Sequence, residues 1–462
     1  MAERSDEWRD GLAPKVVNEV DYIIDAFDRA SHGRIHIEVA RSGNRVDYMY
    51  VGGRILVRDE YLDRVLHIIE QETPEDERRQ MWNDRDRVER VIEGVVLVTL
   101  KEEGPQVQEA LERVEERLGR GIATPDHVLT LAPGEGAPCP ATEPEEVYDE
   151  IEPYPSVCLG NGGAGVLVYM DDTGLLAGAD SAHSWLAGVT GDPDPLPPRN
   201  PPGTLTPPGI QPLERYTGHG TFVAGVLRCM APGARVIVTD VFPVTTAGSQ
   251  LESTWIRRLE AALGLGADIF HLTISAHTRH DHPLVTFQKW LERLRTYGGA
   301  VCVVAAGNDG SRRLSWPAAF SEVVSVGALG GDWRGRASFS NFGPWVDVYA
   351  PGRDLINAYA TGTYTCKVHP YVNQPREFYG MAKWSGTSFS TPIVSGLIAA
   401  RMTRTGETAR QAAAALLAEA RAQAIPGVGP ILLPCCNEHD HDACVRPEEC
   451  CCRTHRHRPR TC

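Results

Sequence analysis

The sequence predicts an α/β fold: a doubly wound parallel sheet with helices on both faces, preceded by a smaller α+β region. Beyond about residue 157, continuous apolar runs typical of buried parallel strands alternate with amphipathic segments of helical spacing. Ahead of that point, shorter strand-like and helix-like segments alternate. The chain has 462 residues and a hydrophobic content of 42%, which is enough for two or three globular domains.

The N-terminal part divides into an α/β extension over residues 1–50 and a second unit over residues 51–133. Apolar spacing predicts a helix over 16–30, and residues 34–40 alternate like a strand. Residues 45–59 are typical of a hairpin with a Gly-Gly turn. The second unit is predicted to contain a strand at 54–58, a helix at 60–71, a strand at 91–100, a helix at 107–119 and a strand at 127–131.

Residues 134–156 are rich in proline, glycine and acidic residues, which predicts an exposed linker. The main α/β region follows over residues 157–425, and residues 426–462 form a Cys/His-rich tail. Strands in the main region are predicted at 165–170, 234–242, 267–275 and 300–308, and helices at 219–231, 253–266 and 287–299. A Pro-rich stretch that begins at residue 192 is interpreted as a surface insertion, either inert or flanking a cleft.

Four short motifs carry the chemistry of the main region. Ser388 lies in a Gly-Thr-Ser turn that leads into an apolar helix, where free N–H groups support developing negative charge. A serine hydroxyl needs a base to become a nucleophile, and His219 lies between glycines at the head of another helix. Asp172 and Asn308 each follow an apolar strand, at the end where open α/β sheets bind ligands. Alone, these residues are ordinary cap, loop and turn formers; their joint occurrence favours a catalytic site.

The four motifs, in the order acid, histidine, amide and serine, resemble the subtilisin-like serine proteases over about residues 157–420. The resemblance implies that Asp172, His219 and Ser388 are a catalytic triad and that Asn308 provides an oxyanion-hole amide. Asp171 adjoins Asp172, and neighbouring strand residues point to opposite faces. The acid of the family precedes Ser/Thr-Gly, which selects Asp172 and leaves Asp171 as the alternative.

The resemblance also implies that substrate binds as an extended strand beside Thr273, Ile274 and Ser275. The matching family segment ends in Ser-Leu-Gly, so Ser275 stands where glycine is usual and its side chain could narrow the groove or pocket. Phe222 and Ile393 also depart from the family pattern, at positions where histidine is common. None of these departures removes a triad residue, so they do not exclude activity, and the exact substrate preference cannot be read from the family pattern.

By the same resemblance, residues 51–133 are interpreted as a ferredoxin-like inhibitory prodomain, cut off in the linker 134–156 when a zymogen matures. The alternative is an unrelated α+β domain with a regulatory or docking role.

The formal net charge of −15 argues against a nucleic-acid binder, which would carry a basic surface. No run of about 18 apolar residues predicts a membrane span, and no secretory signal is apparent at the N-terminus. We therefore expect a cytoplasmic location, with non-classical export left open. The oligomeric state is not readable from the sequence.

Seven of the 12 cysteines lie in the tail, with four histidines among them. Thiolates and imidazoles suit zinc or copper(I), although the spacing matches no standard zinc module. Disulfides and a reduced, disordered tail are the alternatives, and no metal ligands are assigned. Catalysis by the triad requires no cofactor. The sequence contains no EF-hand-like acidic loop, so structural calcium is implied by the resemblance alone.

The expected function is that of a serine endopeptidase acting on protein or peptide substrates. Two alternatives remain: a catalytically quiet binding or regulatory protein on the same scaffold, and a metal-binding protein acting through its tail.

Overall fold

The computed structural model describes residues 6–9, 11–69, 87–100, 106–131, 141–148, 152–158, 160–197, 211–368 and 370–434. The α-helices are α1 (Pro14–Ser31), α2 (Leu62–Ile69), α3 (Val107–Leu118), α4 (Ala179–Ala182), α5 (His219–Met230), α6 (Glu252–Ala262), α7 (Val285–Leu294), α8 (Thr387–Thr405) and α9 (Ala409–Ala422). The strands are β1 (Ile37–Ser42), β2 (Arg45–Arg58), β3 (Val88–Ile92), β4 (Val95–Thr99), β5 (Ala123–Thr130), β6 (Leu167–Asp172), β7 (Thr190–Gly191), β8 (Pro212–Leu213), β9 (Arg235–Asp240), β10 (Ser249–Leu251), β11 (Ile269–Leu272), β12 (Val301–Ala305), β13 (Val324–Leu329), β14 (Val348–Pro351), β15 (Leu355–Thr365) and β16 (Pro375–Trp384).

A parallel sheet of seven strands, ordered β14-β13-β12-β11-β6-β9-β7, forms the centre of the catalytic region, which we define as residues 160–434. Side chains alternate between its two faces, so Val168 and Met170 enter a different core from Tyr169. Helices α5 and α8 cover one face, and α6 and α7 cover the other. This confirms the predicted doubly wound sheet and explains why its inner strands are largely apolar.

The N-terminal region, defined here as residues 6–131, contains the ferredoxin-like arrangement that was predicted. Its elements follow the order β2-α2-β3-β4-α3-β5, and the antiparallel sheet has the strand order β5-β2-β4-β3. Strand β1 adds to β2, which runs through residue 50, where the predicted extension ends. No boundary between two separate units therefore falls at that residue.

Both faces of this N-terminal sheet are buried. Ile55 and Val57 pack with α2 and α3. Leu56, which points the other way, belongs to the same core as Trp255 of α6 and Trp290 of α7. The N-terminal region is therefore joined to the catalytic region through a continuous apolar core.

Two strand predictions differ from the structure. The predicted hairpin at residues 45–59 is wrong, because β2 is one long strand whose register with β5 shifts between Tyr50 and Ile55. Gly53, with φ of 72°, accommodates this irregularity, and the turn lies instead between β1 and β2. The predicted single strand at residues 91–100 is a hairpin, since Gly94 turns the chain between β3 and β4.

The stretch predicted as an exposed linker packs on the catalytic region where the structure describes it. Glu145 pairs with Lys383 of β16 through two backbone hydrogen bonds of 2.8 and 2.9 Å. Glu143 is buried and accepts a hydrogen bond of 2.7 Å from the Tyr364 hydroxyl. The prediction of an exposed linker is therefore wrong for this segment, because Glu143 is buried against Tyr364 and the backbone of Glu145 pairs with β16.

The Cys/His-rich tail lies outside the described residues from position 435 onward, as does part of the Pro-rich insertion, residues 198–210. Across the described ranges, every helix is too short or too polar to cross a membrane.

Candidate active site

Asp172 and His219 form a buried hydrogen-bonded pair. Asp172 ends β6 and His219 begins α5, and the distance between His219 Nδ1 and Asp172 Oδ1 is 2.6 Å. The same carboxylate accepts hydrogen bonds of 2.8 Å from the Thr173 backbone N–H and from the Thr273 hydroxyl. These contacts fix the carboxylate against the imidazole.

Glycines on both sides of His219 allow the close approach of α5 to β6. Gly218 caps the helix with φ of 76°, a conformation that other residues rarely adopt. At Gly220, a Cβ atom would lie 2.4 Å from the backbone oxygen of Gly174. The glycines that flank the histidine in the sequence therefore have a steric purpose.

Asp171 has a separate environment. Its carboxylate accepts hydrogen bonds from the Trp255 indole at 2.9 Å and from the Thr239 hydroxyl at 3.0 Å. Burial raises its pKa to about 6, with these hydrogen bonds opposing the shift. The structure brings Asp172, and not Asp171, to the histidine.

Ser388 occupies the first turn of α8, beside Asn308. The Asn308 Oδ1 atom accepts hydrogen bonds from the Thr387 N–H at 2.9 Å and from the Thr387 hydroxyl at 3.0 Å. Its Nδ2 atom is buried without a hydrogen-bond partner among the described residues. An amide donor held in this way can stabilise an anion that forms beside the helix N-terminus.

The Ser388 hydroxyl points to the N-terminal region. Its Oγ lies 3.5 Å from the Leu131 carbonyl oxygen, whereas His219 Nε2 has no partner among the described residues. In this state the serine and histidine are therefore not hydrogen-bonded to each other. Catalytic hydrogen bonds are often formed only when substrate is bound.

The end of β5 lies in the cleft as an extended strand. The Thr130 N–H donates to the Ser275 oxygen at 3.1 Å, and the Ser275 N–H donates to the Thr130 oxygen at 2.8 Å. On the other side, β5 pairs with β10, and the Leu131 N–H donates to the Gly248 oxygen at 3.0 Å. The end of β5 is thus held between two segments of the catalytic region, and the next residue, Leu131, lies beside Ser388.

Of the three predicted substrate-binding residues, Ser275 contacts this strand through its backbone. Thr273 binds Asp172, and Ile274 is fully buried in the core. Phe222, where the sequence departs from the family pattern, packs 4.5 Å from the ring of Phe389. The Phe389 ring in turn lies 5.4 Å from His219, so the phenylalanine supports the histidine by packing. Ile393, the other departure, is buried in the same core.

Asp194 is a buried acid beside the site that the sequence interpretation missed. Its Oδ2 accepts hydrogen bonds of 2.7 Å from the Gly218 N–H and 3.2 Å from the Thr173 hydroxyl. Burial raises its pKa to about 8, and the charges of Asp240 and Asp172 add to this effect. Asp194 lies in the Pro-rich stretch, so composition gave no signal of its contact.

His271 on β11 is also buried near the pair, with Nδ1 2.9 Å from the Ser395 hydroxyl. Burial lowers its pKa to about 3, so it is neutral at physiological pH. No group of three or more His, Cys, Asp or Glu side chains in the described residues is arranged to hold a metal. These residues therefore offer no carboxylate cluster for the calcium that the resemblance implies.

Comparisons with known proteins identify the family of this chain. The model of the subtilase family, Peptidase_S8, matches residues 163–429. The chain belongs to the subtilase family.

Curated relatives include a thermophilic serine proteinase from Bacillus sp. (strain AK1), 32% identical over 39% of this chain and 41% of the relative. Subtilisin Savinase from Lederbergia lenta is 28% identical over 51% of this chain and 76% of the relative. The chain spans about half the length of the first curated relatives that it matches. Among solved structures, fervidolysin from Fervidobacterium pennivorans, described as a keratinolytic enzyme related to subtilisin, has a TM-score of 0.53 at 18% identity. That match covers 86% of this chain and 61% of fervidolysin, and it supports the fold.

Proposed function

We propose that this protein is a serine endopeptidase that hydrolyses peptide bonds in protein or peptide substrates. The observation that carries the proposal is the 2.6 Å contact between His219 and Asp172, in a site that also contains Ser388 and the unpartnered amide of Asn308. Family membership over residues 163–429 supports the same activity.

In the proposed reaction, Ser388 Oγ attacks the scissile carbonyl carbon while His219 Nε2 accepts the hydroxyl proton. Asp172 holds the imidazole with its Nδ1 protonated and stabilises the cation that forms. The tetrahedral oxyanion is stabilised by Asn308 Nδ2 and by the Ser388 backbone N–H. His219 then donates its proton to the leaving amine, and water hydrolyses the acyl-enzyme by the same route.

We further propose that the intact chain is a self-inhibited zymogen. The end of β5 and Leu131 bind as an antiparallel strand between Ser275 and Gly248, the position in which a substrate would lie. An inhibitor in the same chain acts at high effective concentration, so modest affinity is enough to block the cleft. Leu131 reaches Ser388 but makes no hydrogen bond to Asn308, so we place the cut at one of the two peptide bonds of Ala132.

Incubating the purified full chain with a mixed peptide library tests the activity. We expect cleaved peptides from the unsubstituted protein and none from Ser388→Ala. Intact peptides with both proteins, after the N-terminal region has been removed, would favour the catalytically quiet alternative.

For the Cys/His-rich tail we propose zinc or copper(I) binding, because seven thiols and four imidazoles lie within residues 435–462. Equilibrium dialysis of the full chain and of a truncation after Pro434 tests it. Loss of bound metal on truncation would support a tail site, whereas equal metal content would exclude one.

A further inference from the structure

The contact between the N-terminal and catalytic regions is charge-complementary. Among the described residues, five arginine–carboxylate pairs join the two regions, and in each of them the arginine belongs to the catalytic region: Glu19–Arg215, Asp47–Arg313, Glu89–Arg257, Glu93–Arg293 and Glu115–Arg279. Two pairs that involve histidine also cross the contact, His280–Glu115 and the buried His127–Glu252, and in the second of these the carboxylate is on the catalytic side. Complementary charge of this kind selects partners and orients them. Departure of the N-terminal region would remove one carboxylate partner from each of these arginines, although Arg293 keeps Glu260 and Arg313 keeps Asp281.

Two of these pairs adjoin a cavity of about 70 Å³ beside the strand in the cleft. Glu19 and Asp47 line the cavity, together with Val128 and Thr130 of β5 and Ser275 of the catalytic region. Asp309 of the catalytic region also lines it and is paired with His277 at 3.5 Å. Val128 and Thr130 face the same side because strand side chains alternate. A substrate bound like β5 would direct the side chain at the Thr130 position into this space.

Of the two arginines whose carboxylate partners line the cavity, Arg215 loses more contacts when the N-terminal region departs. Its side chain is 9% exposed and pairs with the Glu19 carboxylate, and its guanidinium lies 5.1 Å from the centre of the Tyr22 ring. Both partners lie on α1, in the N-terminal region. When α1 leaves, the guanidinium is exposed to the cleft without these partners, and a carboxylate on a bound substrate can form a charge-assisted contact with it.

Arg313 contributes in a similar way but keeps one partner. It binds the Asp47 carboxylate at 2.6 Å and the Asp47 backbone oxygen at 3.0 Å. Its Nε also lies 3.0 Å from Asp281, which belongs to the catalytic region and would remain.

The wall of the cavity also has unused hydrogen-bonding capacity. Thr130 Oγ1 and Ser275 Oγ are both buried without hydrogen-bond partners among the described residues. Ser275 therefore places a free hydroxyl, where the family usually has glycine, beside the side chain at the Thr130 position. This hydroxyl can donate to a carboxylate bound there.

We propose that Arg215, assisted by Arg313 and Ser275, forms a subsite for acidic side chains once the N-terminal region has left the cleft. The mature enzyme then prefers substrates with glutamate or aspartate at the residue that occupies the Thr130 position. The carboxylates of Glu19 and Asp47 occupy this subsite in the intact chain. The proposal rests on the proteolytic function proposed above and specifies its substrate class.

The test compares two peptides on full-length protein that has been allowed to process completely. Both carry residues 125–132 followed by a neutral Ser-Gly-Ser, with Thr130→Glu in one and Thr130→Gln in the other. We expect kcat/KM to be about tenfold higher for the glutamate peptide, since a charge-assisted contact is stronger than a neutral one. The ratio should fall in about 1 M NaCl, which screens the attraction.

Variants identify the arginine. Arg215→Gln should bring the ratio of the two rates close to one. The matched control is Arg295→Gln, since Arg295 pairs with Glu322 within the catalytic region and is 56% exposed. If the Arg215→Gln protein does not cleave itself and stays inactive, the ratio of kcat/KM for the two peptides on the unsubstituted protein still tests the proposal. Equal rates for the two peptides would overturn the acidic subsite and leave the protease standing, whereas hydrolysis of neither would overturn both.

Discussion

Thr387 binds the Oδ1 atom of Asn308 through both its backbone N–H and its hydroxyl. Because the oxygen is held by two donors, the amide nitrogen is oriented away from them and is left without a partner in the described residues. The residue next to the proposed nucleophile therefore also orients the proposed oxyanion donor. One helix start thus supplies the nucleophile, a backbone donor and the orientation of a side-chain donor.

The first prediction concerns this amide. Asn308→Ala should lower kcat by about 10²–10³, a figure known from subtilisin itself, with little change in KM. The contact forms chiefly in the transition state, so substrate affinity should hold. Thr387→Val, which removes one of the two orienting donors, should lower kcat by a smaller factor. Steady-state kinetics on processed protein measure both, and an effect of Asn308→Ala confined to KM would make Asn308 a substrate-binding residue.

The nucleophile is tested by covalent labelling. Ser388→Ala should abolish labelling by a fluorophosphonate probe and leave the circular dichroism spectrum unchanged. Ser338→Ala is the matched control, because Ser338 is exposed in the same region. Labelling that persists in Ser388→Ala would place the nucleophile elsewhere.

Self-processing gives a third prediction. The unsubstituted chain should separate on a denaturing gel into two fragments, and the larger one should begin at Ala132 or Pro133 by N-terminal sequencing. Ser388→Ala should remain a single chain. A full-length chain that is uncut and fully active would instead favour the docking or regulatory interpretation of the N-terminal region.

The hydrogen bond from the Thr130 N–H to the Ser275 oxygen should slow the dissociation of β5 from the cleft. Thr130→Pro removes this N–H, so the lag before activity appears should shorten. Thr130→Ala keeps the N–H and is the control for loss of the side chain. Progress curves with a reporter peptide measure the lag, and equal lags for the two variants would show that this hydrogen bond does not limit activation.

Asp194 predicts a pH dependence of stability. Its pKa is raised to about 8 in the folded protein, whereas an aspartate in an unfolded chain titrates near 4. The folded state therefore keeps a proton that the unfolded state has lost, and the stability contributed in this way declines as the pH rises from about 4 to about 8. Asp194→Asn should reduce the decline in the free energy of unfolding between pH 5 and 8.

That measurement uses denaturant unfolding in the Ser388→Ala background, which prevents self-digestion. Asp180→Asn, at an exposed position, is the control. An unchanged slope in Asp194→Asn would show that another group causes the pH dependence.

The main sheet and the site motifs were predictable because their signals are local. Apolar runs report strands buried on both faces, and Gly-Thr-Ser before an apolar helix reports a serine at a helix start. Alternation of strand side chains predicted that Asp171 and Asp172 point to opposite faces, and the Thr-Gly that follows selected Asp172 by resemblance to the family. The structure places Asp172 at 2.6 Å from the histidine.

Long-range contacts were not predictable in the same way. The Gly-Gly pair in β2 is typical of a turn, yet the partner strand β5 holds the chain extended on both sides of it. Asp194 and Glu143 lie in stretches whose composition is typical of exposed loops, and their burial depends on partners far away in the chain.

The segment that follows the proposed cut remains attached to the enzyme. Leu131 is held on one side by Gly248, and Glu145 is held on the other by Lys383. Breaking a bond of Ala132 therefore leaves both of these contacts intact, and the cleft stays occupied until β5 unbinds or is digested. Cleavage and the onset of activity become two events separated in time. The delay between them is set by the rate at which β5 dissociates or is digested, not by the rate of the cut.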